Sequence, residues 1–495
     1  VGVINYCGFF QNCTELTNAS PWLDNVRFGA YRVIFDTIQE AIDAAAPGDT
    51  VWIPPGTYKD SGNVNLTFRG KNLVLKSLAG ATTTVIDGSH GHRGFVSDQG
   101  EDSTSAVIGF TFRNCKATDQ GSLSDIGGAV HVGSGSSIRF EDCVFLTSTA
   151  SYGGAVHVAF EGEPTFRRCT FLQNTAMWGG GGIAAFGGAF DSCWILGNHA
   201  GSGGGVFVYN GQLSRCTIQA NTASFGGGIY GYYSDFARFG VVEMRDCLVA
   251  GNTATIRGGG LDLHNLMHMS GTTVAGNFAE LAGGMYTLYG GTVRRSIFWG
   301  NGADSSGADV FLSARVTFTC SAMDPSQLGG PGQAIFDGPQ VFGDPLFCLP
   351  EFASSAPTTE GDYTLAINSP CLPFASPCDS LIGALDEGCG FVSVVPPPGP
   401  DEPPFLKTPG IHTGPNPFTQ ALTIHYLSPF GTDPQLEIYA VDGRLIGKWP
   451  LRPGSGVVTW DGRDPTGKPV ASGIYLVRYQ AGDLRLVRRV VRITR

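Results

Sequence analysis

At 495 residues, with 72 glycines and only 15% charged side chains, the chain is too long for one ordinary core and too apolar to stay disordered. Its glycines follow no collagen period, and no apolar run is long enough to cross a membrane as a helix. A formal net charge of −11 argues against nucleic acid as a partner, because phosphate recognition needs a basic surface.

Residues 1–33 fit no repeat and are expected to form a cap or a contact arm. The chain begins at Val1, and we expect an export signal to have been removed ahead of it, with an extracellular or cell-surface location. Next, Ile38, Ala41, Ile42 and Ala45 fall at helical spacing, Thr37 with Glu40 makes a capping box, and Pro47-Gly48 stops the helix before a strand at Val51-Trp-Ile53. This helix-then-strand opening resembles the cap of right-handed parallel β-helix (pectin-lyase-like) proteins. There the helix shields the open end of the sheet stack. Short strands follow at Val64–Phe68, Leu73–Leu75, Thr84–Ile86 and Val107–Ile108.

From Phe140 to Val310 a unit of roughly two dozen residues returns, as in Cys169-Thr-Phe-Leu-Gln-Asn174, Cys193-Trp-Ile-Leu-Gly-Asn198 and Cys216-Thr-Ile-Gln-Ala-Asn221, each followed by a glycine triplet. Cys169 and Phe171 are two apart and share an inner strand face, while Phe166, three before Cys169, is also inward, so a two-residue corner separates them. The corners are polar. Glu141-Asp142, Arg167-Arg168 and Asp191 on neighbouring coils read as a charge ladder that helps fix register. Asn174, Asn198, Asn221, Asn252, Asn277 and Asn301 form a column at a bend, where we expect left-handed backbone and side chains bonded from coil to coil. The Asn column and glycine triplets resemble the repeats of polymorphic outer-membrane proteins over roughly residues 110–312.

The thirteen cysteines fit an oxidising compartment. Cys7, Cys13, Cys348, Cys371, Cys378 and Cys389 lie in irregular ends suited to disulfides, whereas Cys143, Cys169, Cys193, Cys216 and Cys247 recur with the repeat as buried apolar side chains. The run from Gly343 to Ala384 resembles the closing segment of secreted bacterial β-helix proteins. Residues 394–412 are a Pro-rich linker. Beyond it Leu422, Ile424 and Tyr426 alternate as in a half-buried strand, giving an antiparallel β-sandwich over 413–495. Pro415-Asn-Pro-Phe418, Tyr439-Ala-Val-Asp-Gly-Arg444 and Ser472-Gly-Ile-Tyr475 resemble a FlgD-type immunoglobulin-like domain and the sorting domain of type IX secretion substrates. The fold expected is therefore all-β: a parallel β-helix over 34–393, then a small sandwich.

Chemistry is harder to find. The β-helix resemblance implies, for its enzymes, cleavage of acidic polysaccharides by grouped Asp residues or by Ca²⁺ held by carboxylates with a Lys or Arg base. Neither pattern is present, since Asp142, Asp191 and Asp246 sit at corners beside Arg. His90 and His92 lack an accompanying Asp cluster, and neither the pair His131/His157 nor the group Asp262, His264 and His268 makes a convincing metal set; no metal or cofactor is expected. The better signal is aromatic. The outward slot after each glycine triplet holds His131, His157, Ala184, Phe207, Tyr230, Asp262, Tyr286 and Phe311, and Tyr152, Trp178 and Phe225 precede the triplets. An exposed column of this kind suits a partner surface or sugar rings, unless loops cover it. We expect a non-catalytic structural or adhesive surface protein that self-associates or binds other surface proteins. The alternative is a secreted protein that binds or cleaves a polysaccharide.

Overall fold

A computed structural model describes residues 3–5, 35–117, 125–232, 240–390, 392, 410–414, 418–419, 421–428, 433–452, 454–482 and 484–493. The chain divides into two compact units, residues 1–357 with 363–390, and residues 358–362 with 391–495. The arm residues 6–34, Cys7 and Cys13, and nearly all of the linker lie outside the described residues.

The first unit is a parallel β-solenoid built of three long sheets of 13, 11 and 11 strands. One coil shows the plan. Thr165–Arg167 lies in the first sheet, Thr170–Leu172 in the second, Thr175–Gly179 in a short fourth ladder, and Ile183–Ala185 in the third. Each strand pairs in parallel with its equivalent on the next coil, Phe166 with Phe190, Phe171 with Ile195 and Ala184 with Phe207. The helix Ile38–Ala44 covers the first coil. Its capping box is formed: Glu40 N donates to Thr37 Oγ1 and Thr37 N donates to Glu40 Oε2, both at 3.2 Å. Ile38, Ala41 and Ile42 face the core, so the helix covers apolar surface that the end of the stack would otherwise expose. Strand Val3–Asn5 pairs in parallel with Thr50 to Trp52, at the edge of the first sheet.

The interior is laid down in columns. Phe140, Phe166 and Phe190 stack at centroid separations of 4.8 and 5.2 Å, and Phe145 lies 4.9 Å from Phe171. The repeat cysteines are buried free thiols whose sulfurs donate back to the previous coil, Cys193 Sγ to Phe166 O at 3.4 Å and Cys216 Sγ to Phe190 O at 3.3 Å. Burial pushes the thiols of Cys169, Cys216 and Cys247 up, and that of Cys115 to about 12, so these are inert packing groups.

The Asn column is a continuous buried hydrogen-bond ladder. Asn198 Oδ1 accepts from both Asn174 N and Asn174 Nδ2, at 2.9 and 3.0 Å, while Asn198 Nδ2 donates to Asn221 Oδ1 and to Phe171 O. The ladder runs on to Asn301, which ends on Asp309 Oδ1. One expectation is corrected here. The left-handed residue is the one before each Asn (Gln173, Gly197, Ala220, Gly251, Gly276, Gly300), because the Asn side chain must turn inward to reach its neighbours.

At the corners the second residue takes positive φ, 53° at Asp142, 51° at Arg168 and 55° at Ser192. Arg168 Nε meets Asp142 Oδ1 at 2.7 Å and Arg215 pairs with Asp191, so these ion pairs come from the second corner residue; Arg167 stands in register between Glu141 and Asp191. The glycine triplets are sterically obligatory at their middle position: a Cβ on Gly181 would stand 2.3 Å from Gly204 O.

Beyond the last coils, Phe347, Tyr363, Leu365, Leu372 and Ile382 form a second core with Leu248, Ala250, Ala275 and Ile297. Disulfides join Cys320 to Cys378 and Cys348 to Cys389. Cys371, expected as a staple, is instead a buried free thiol, and Cys320 takes a partner in this region. In the second unit, Gly410–Gly414, Leu422–Ser428 and Gly454–Trp460 form one antiparallel sheet. Leu445–Pro450, Gln435–Ala440, Gly473–Ala481 and Leu484–Arg492 form another. Leu422, Ile438, Trp460, Val477 and Val490 share their common core.

Candidate functional site: the aromatic column and its ridge

The third sheet places one column in register, His131, His157, Ala184, Phe207, Tyr230, Asp262, Tyr286 and Phe311. Their strand neighbours, such as Val130 and Val132, belong to the core, so alternation turns the column outward. Exposure does not follow from that alone. His131 is 2% exposed, His157 9% and Phe207 8%, which corrects the expectation of an exposed row at these three positions. Two walls stand over His157 and Phe207. On one side the fourth ladder brings the Tyr152 ring edge-on to Phe207 at 6.0 Å. On the other, turn residues stand against the column, Phe186 6.3 Å from His157 and Tyr232 5.2 Å from Phe207. Those walls come from turns, where strand parity says nothing about direction. Tyr230, Tyr286 and Phe311 are half-buried.

The two histidines stack at 5.2 Å with Nδ1 atoms 3.2 Å apart, so one donates and the other accepts and both rings are neutral. Burial, with the Arg93 guanidinium adding to it, lowers His131 to about 4; burial, His131 and Arg93 lower His157 to about 3. Arg93 is itself buried and donates to Gly127 O and Ile126 O. His90 and His92, by contrast, are exposed turn residues.

The rings that stack do so face to face. Phe207 and Tyr230 are 5.5 Å apart at 19°, Tyr286 and Phe311 5.6 Å apart at 13°. Each ring thus gives one face to its neighbour. Free apolar surface lies instead on the fourth ladder, a ridge beside the column. Trp178 is 59% exposed, its neighbour Met177 66%, Tyr152 39% and Ile256 42%. Met177 and Ile256 carry no aromatic ring, so a search for aromatic slots passes over them.

Between Tyr230 and Tyr286 the column carries a charge. Asp262 is fully buried and binds Arg257, Nε to Oδ2 at 2.9 Å. Arg257 occupies the same slot as Phe225 one coil before, and its guanidinium lies between the rings of Phe225 at 5.1 Å and Tyr286 at 4.6 Å. His264 Nε2 lies 2.8 Å from Arg257 Nη2 and 3.0 Å from Asp262 Oδ1. Burial, with the nearby Asp262 carboxylate reinforcing it, pushes the Tyr230 phenol up to about 12. Asp262 and His264 are thus brought together, whereas His268 lies on the first sheet and pairs with Thr292 at 2.8 Å. Arg257 was missed in the sequence, although its position directly before a glycine triplet marks it as the slot-mate of Phe225. Among the described residues no group of three or more His, Cys, Asp or Glu side chains is placed to hold a metal ion, and no helix is long and apolar enough to cross a membrane.

A family model described as "Right handed beta helix region" matches residues 99–279. The solenoid is a right-handed β-helix. No curated protein matches the chain. Among solved structures, the chain is similar to one titled as the crystal structure of dimeric latent PorU from Porphyromonas gingivalis, at 19% identity and a TM-score of 0.16. The similarity covers 17% of this chain and only 9% of that one.

Proposed function

We propose that the protein is a non-catalytic extracellular or cell-surface β-helix whose ridge of Tyr152, Met177, Trp178 and Ile256 docks protein, either a second copy or another surface protein. The observation that carries this reading is the pair Met177 and Trp178, two large apolar side chains more than half exposed on a rigid ladder. Trp, Tyr and Met are the residues that interface centres favour. The disulfides fit an oxidising compartment. Resemblance of the coils to polymorphic outer-membrane-protein repeats, and of 413–495 to a FlgD-type or type IX sorting domain, supports export. The division into arm 1–33, β-helix 34–393, linker 394–412 and sandwich 413–495 belongs to the same proposal. Sedimentation velocity across a concentration series, with retention on immobilised protein, tests it. The full chain is expected to self-associate or adhere, and the Met177→Ser/Trp178→Ser variant to lose this. A strictly monomeric, non-adherent chain would falsify the reading.

One observation favours the polysaccharide alternative. A polar groove of about 240 Å³ on the outer face of the first sheet is lined by Glu163, Thr165, Asn210, Gln212 and Glu243. Two carboxylates and two side-chain amides suit sugar hydroxyls. A reducing-end and unsaturated-product assay over a polysaccharide panel, with and without Ca²⁺, separates the two readings.

A further inference from the structure

The corner ladder changes character towards its end. In the earlier coils each corner arginine has an acid beside it. Arg168 pairs with Asp142, Arg215 with Asp191 and Arg245 with Glu243, and Arg167 stands in register between Glu141 and Asp191. Arg294 and Arg295 break this rule. The coil before them presents Ser270-Gly271 and the coil after Thr319-Cys320, and neither arginine has an ion pair among the described residues. Two adjacent like charges are left without a counter-charge, a repulsion that the earlier corners offset.

The space beside these arginines is walled on a further side. The Cys320–Cys378 disulfide, and a bond from Gly383 N to Arg295 O at 2.8 Å, hold the closing segment against this corner. The result is a pocket of about 340 Å³ lined by Ser270, Arg294, Arg295, Thr319, the disulfide and Ser380. Its polar side chains are two guanidiniums and three hydroxyls. Arg295 Nη2 donates to Ser270 Oγ at 3.3 Å, which restrains its guanidinium at the pocket wall. No carboxylate lines the pocket. Asp246, two coils before Arg295 in the corner column, and Asp379, between Cys378 and Ser380, are both absent from its wall.

We infer that this corner pocket is an oxyanion site that takes the sulfate or phosphate group of a small ester. A guanidinium is a permanent cation with N–H donors and no acceptor, so two of them in one pocket select an anion. A carboxylate offers two oxygens in one plane, whereas a terminal sulfate or phosphate offers three, spread as a tripod. The tripod suits donors that come from different sides: Ser270 on the coil before, Thr319 on the coil after, Ser380 on the closing segment, and the two arginines between them. The volume exceeds the needs of a bare ion and falls in the range of small-molecule pockets, on the order of 300–1,000 Å³. The body of the ester therefore has room. The site lies at the corner that ends the first sheet and goes beyond the protein-docking reading of the ridge on the fourth ladder.

Isothermal titration calorimetry of the full chain, with disulfides intact and ionic strength held constant, tests the site. The probes are inorganic sulfate, inorganic phosphate, glucose 6-sulfate, glucose 6-phosphate and acetate. The expected result is saturable binding of the tetrahedral ions and their esters, roughly tenfold or more tighter than acetate. Whichever ester binds more tightly identifies the source of the group. Arg294→Gln/Arg295→Gln is expected to weaken binding about tenfold or more, and Arg294→Lys/Arg295→Lys, which keeps both charges and loses the forks, to retain part of it. The comparison with acetate on the unmodified chain still decides if a variant folds poorly. Acetate bound as tightly as the tetrahedral ions, binding unchanged in the Gln variant, or no saturable binding of sulfate, phosphate or either ester overturns the proposal. Met177→Ser/Trp178→Ser should leave the titration unchanged, so failure of the ridge and failure of this pocket are read separately.

Discussion

The same coils carry two ladders, and they differ in what they leave unsatisfied. On the inside, Asn174 to Asn301 is closed: each amide between the ends bonds to its neighbours above and below and to a strand carbonyl. On the outside, the column from His131 to Phe311 is interrupted. It holds a neutral histidine pair, a buried Ala, stacked rings, and one carboxylate with an orphaned oxygen, beside a ridge of exposed Met and Trp. A closed ladder leaves no group over for a ligand. The outer one does. Regular repetition therefore marks scaffold here, and departures from it mark where function is to be sought.

The largest expected effect comes from breaking the inner ladder. Asn198→Ala removes partners from Asn174 N and Phe171 O, both buried, and should cost about 4 kcal/mol, read by denaturant unfolding. Next comes acid. His131 and His157 are neutral when folded, lowered from the ordinary 6.5 to about 4 and about 3, so the unfolded chain binds more protons between those values. Their contribution is fully present above 6.5 and is lost as pH falls toward 4. It amounts to about 3 kcal/mol for His131, read from unfolding midpoints across pH and reduced in a His131→Phe/His157→Phe variant. At the corners, Arg168→Ala removes exposed ion pairs to Asp142 and Glu141 and should cost less than about 1 kcal/mol, less again in high salt. Smallest of all is the ridge, where Met177→Ser/Trp178→Ser should shift stability by no more than about 0.5 kcal/mol.

Much of the inner ladder is legible in the sequence because its rules are local. A period of two separates Cys169 from Phe171, a three-residue step from Phe166 marks the corner, and the Asn recurs once per coil. The outer site is legible only as far as parity reaches. Parity finds the slots of Tyr230, Asp262 and Tyr286, but the burial of His157 and Phe207 depends on side chains from turns and from the fourth ladder, placed by three-dimensional closure. The link from Arg257 to Asp262 spans a glycine turn where a Cβ on Gly258 would stand 2.7 Å from the Asp262 Cβ, a closeness that spacing alone does not reveal. The pairing of Cys320 with Cys378, 58 residues apart, is equally beyond local pattern.

The most direct test of the central claim, that the inner ladder is scaffold and the outer ridge is the functional surface, is to measure unfolding and surface retention on one variant, Met177→Ser/Trp178→Ser. An unchanged unfolding midpoint with retention lost is the expected result. Retention equal to that of the unmodified chain would contradict it.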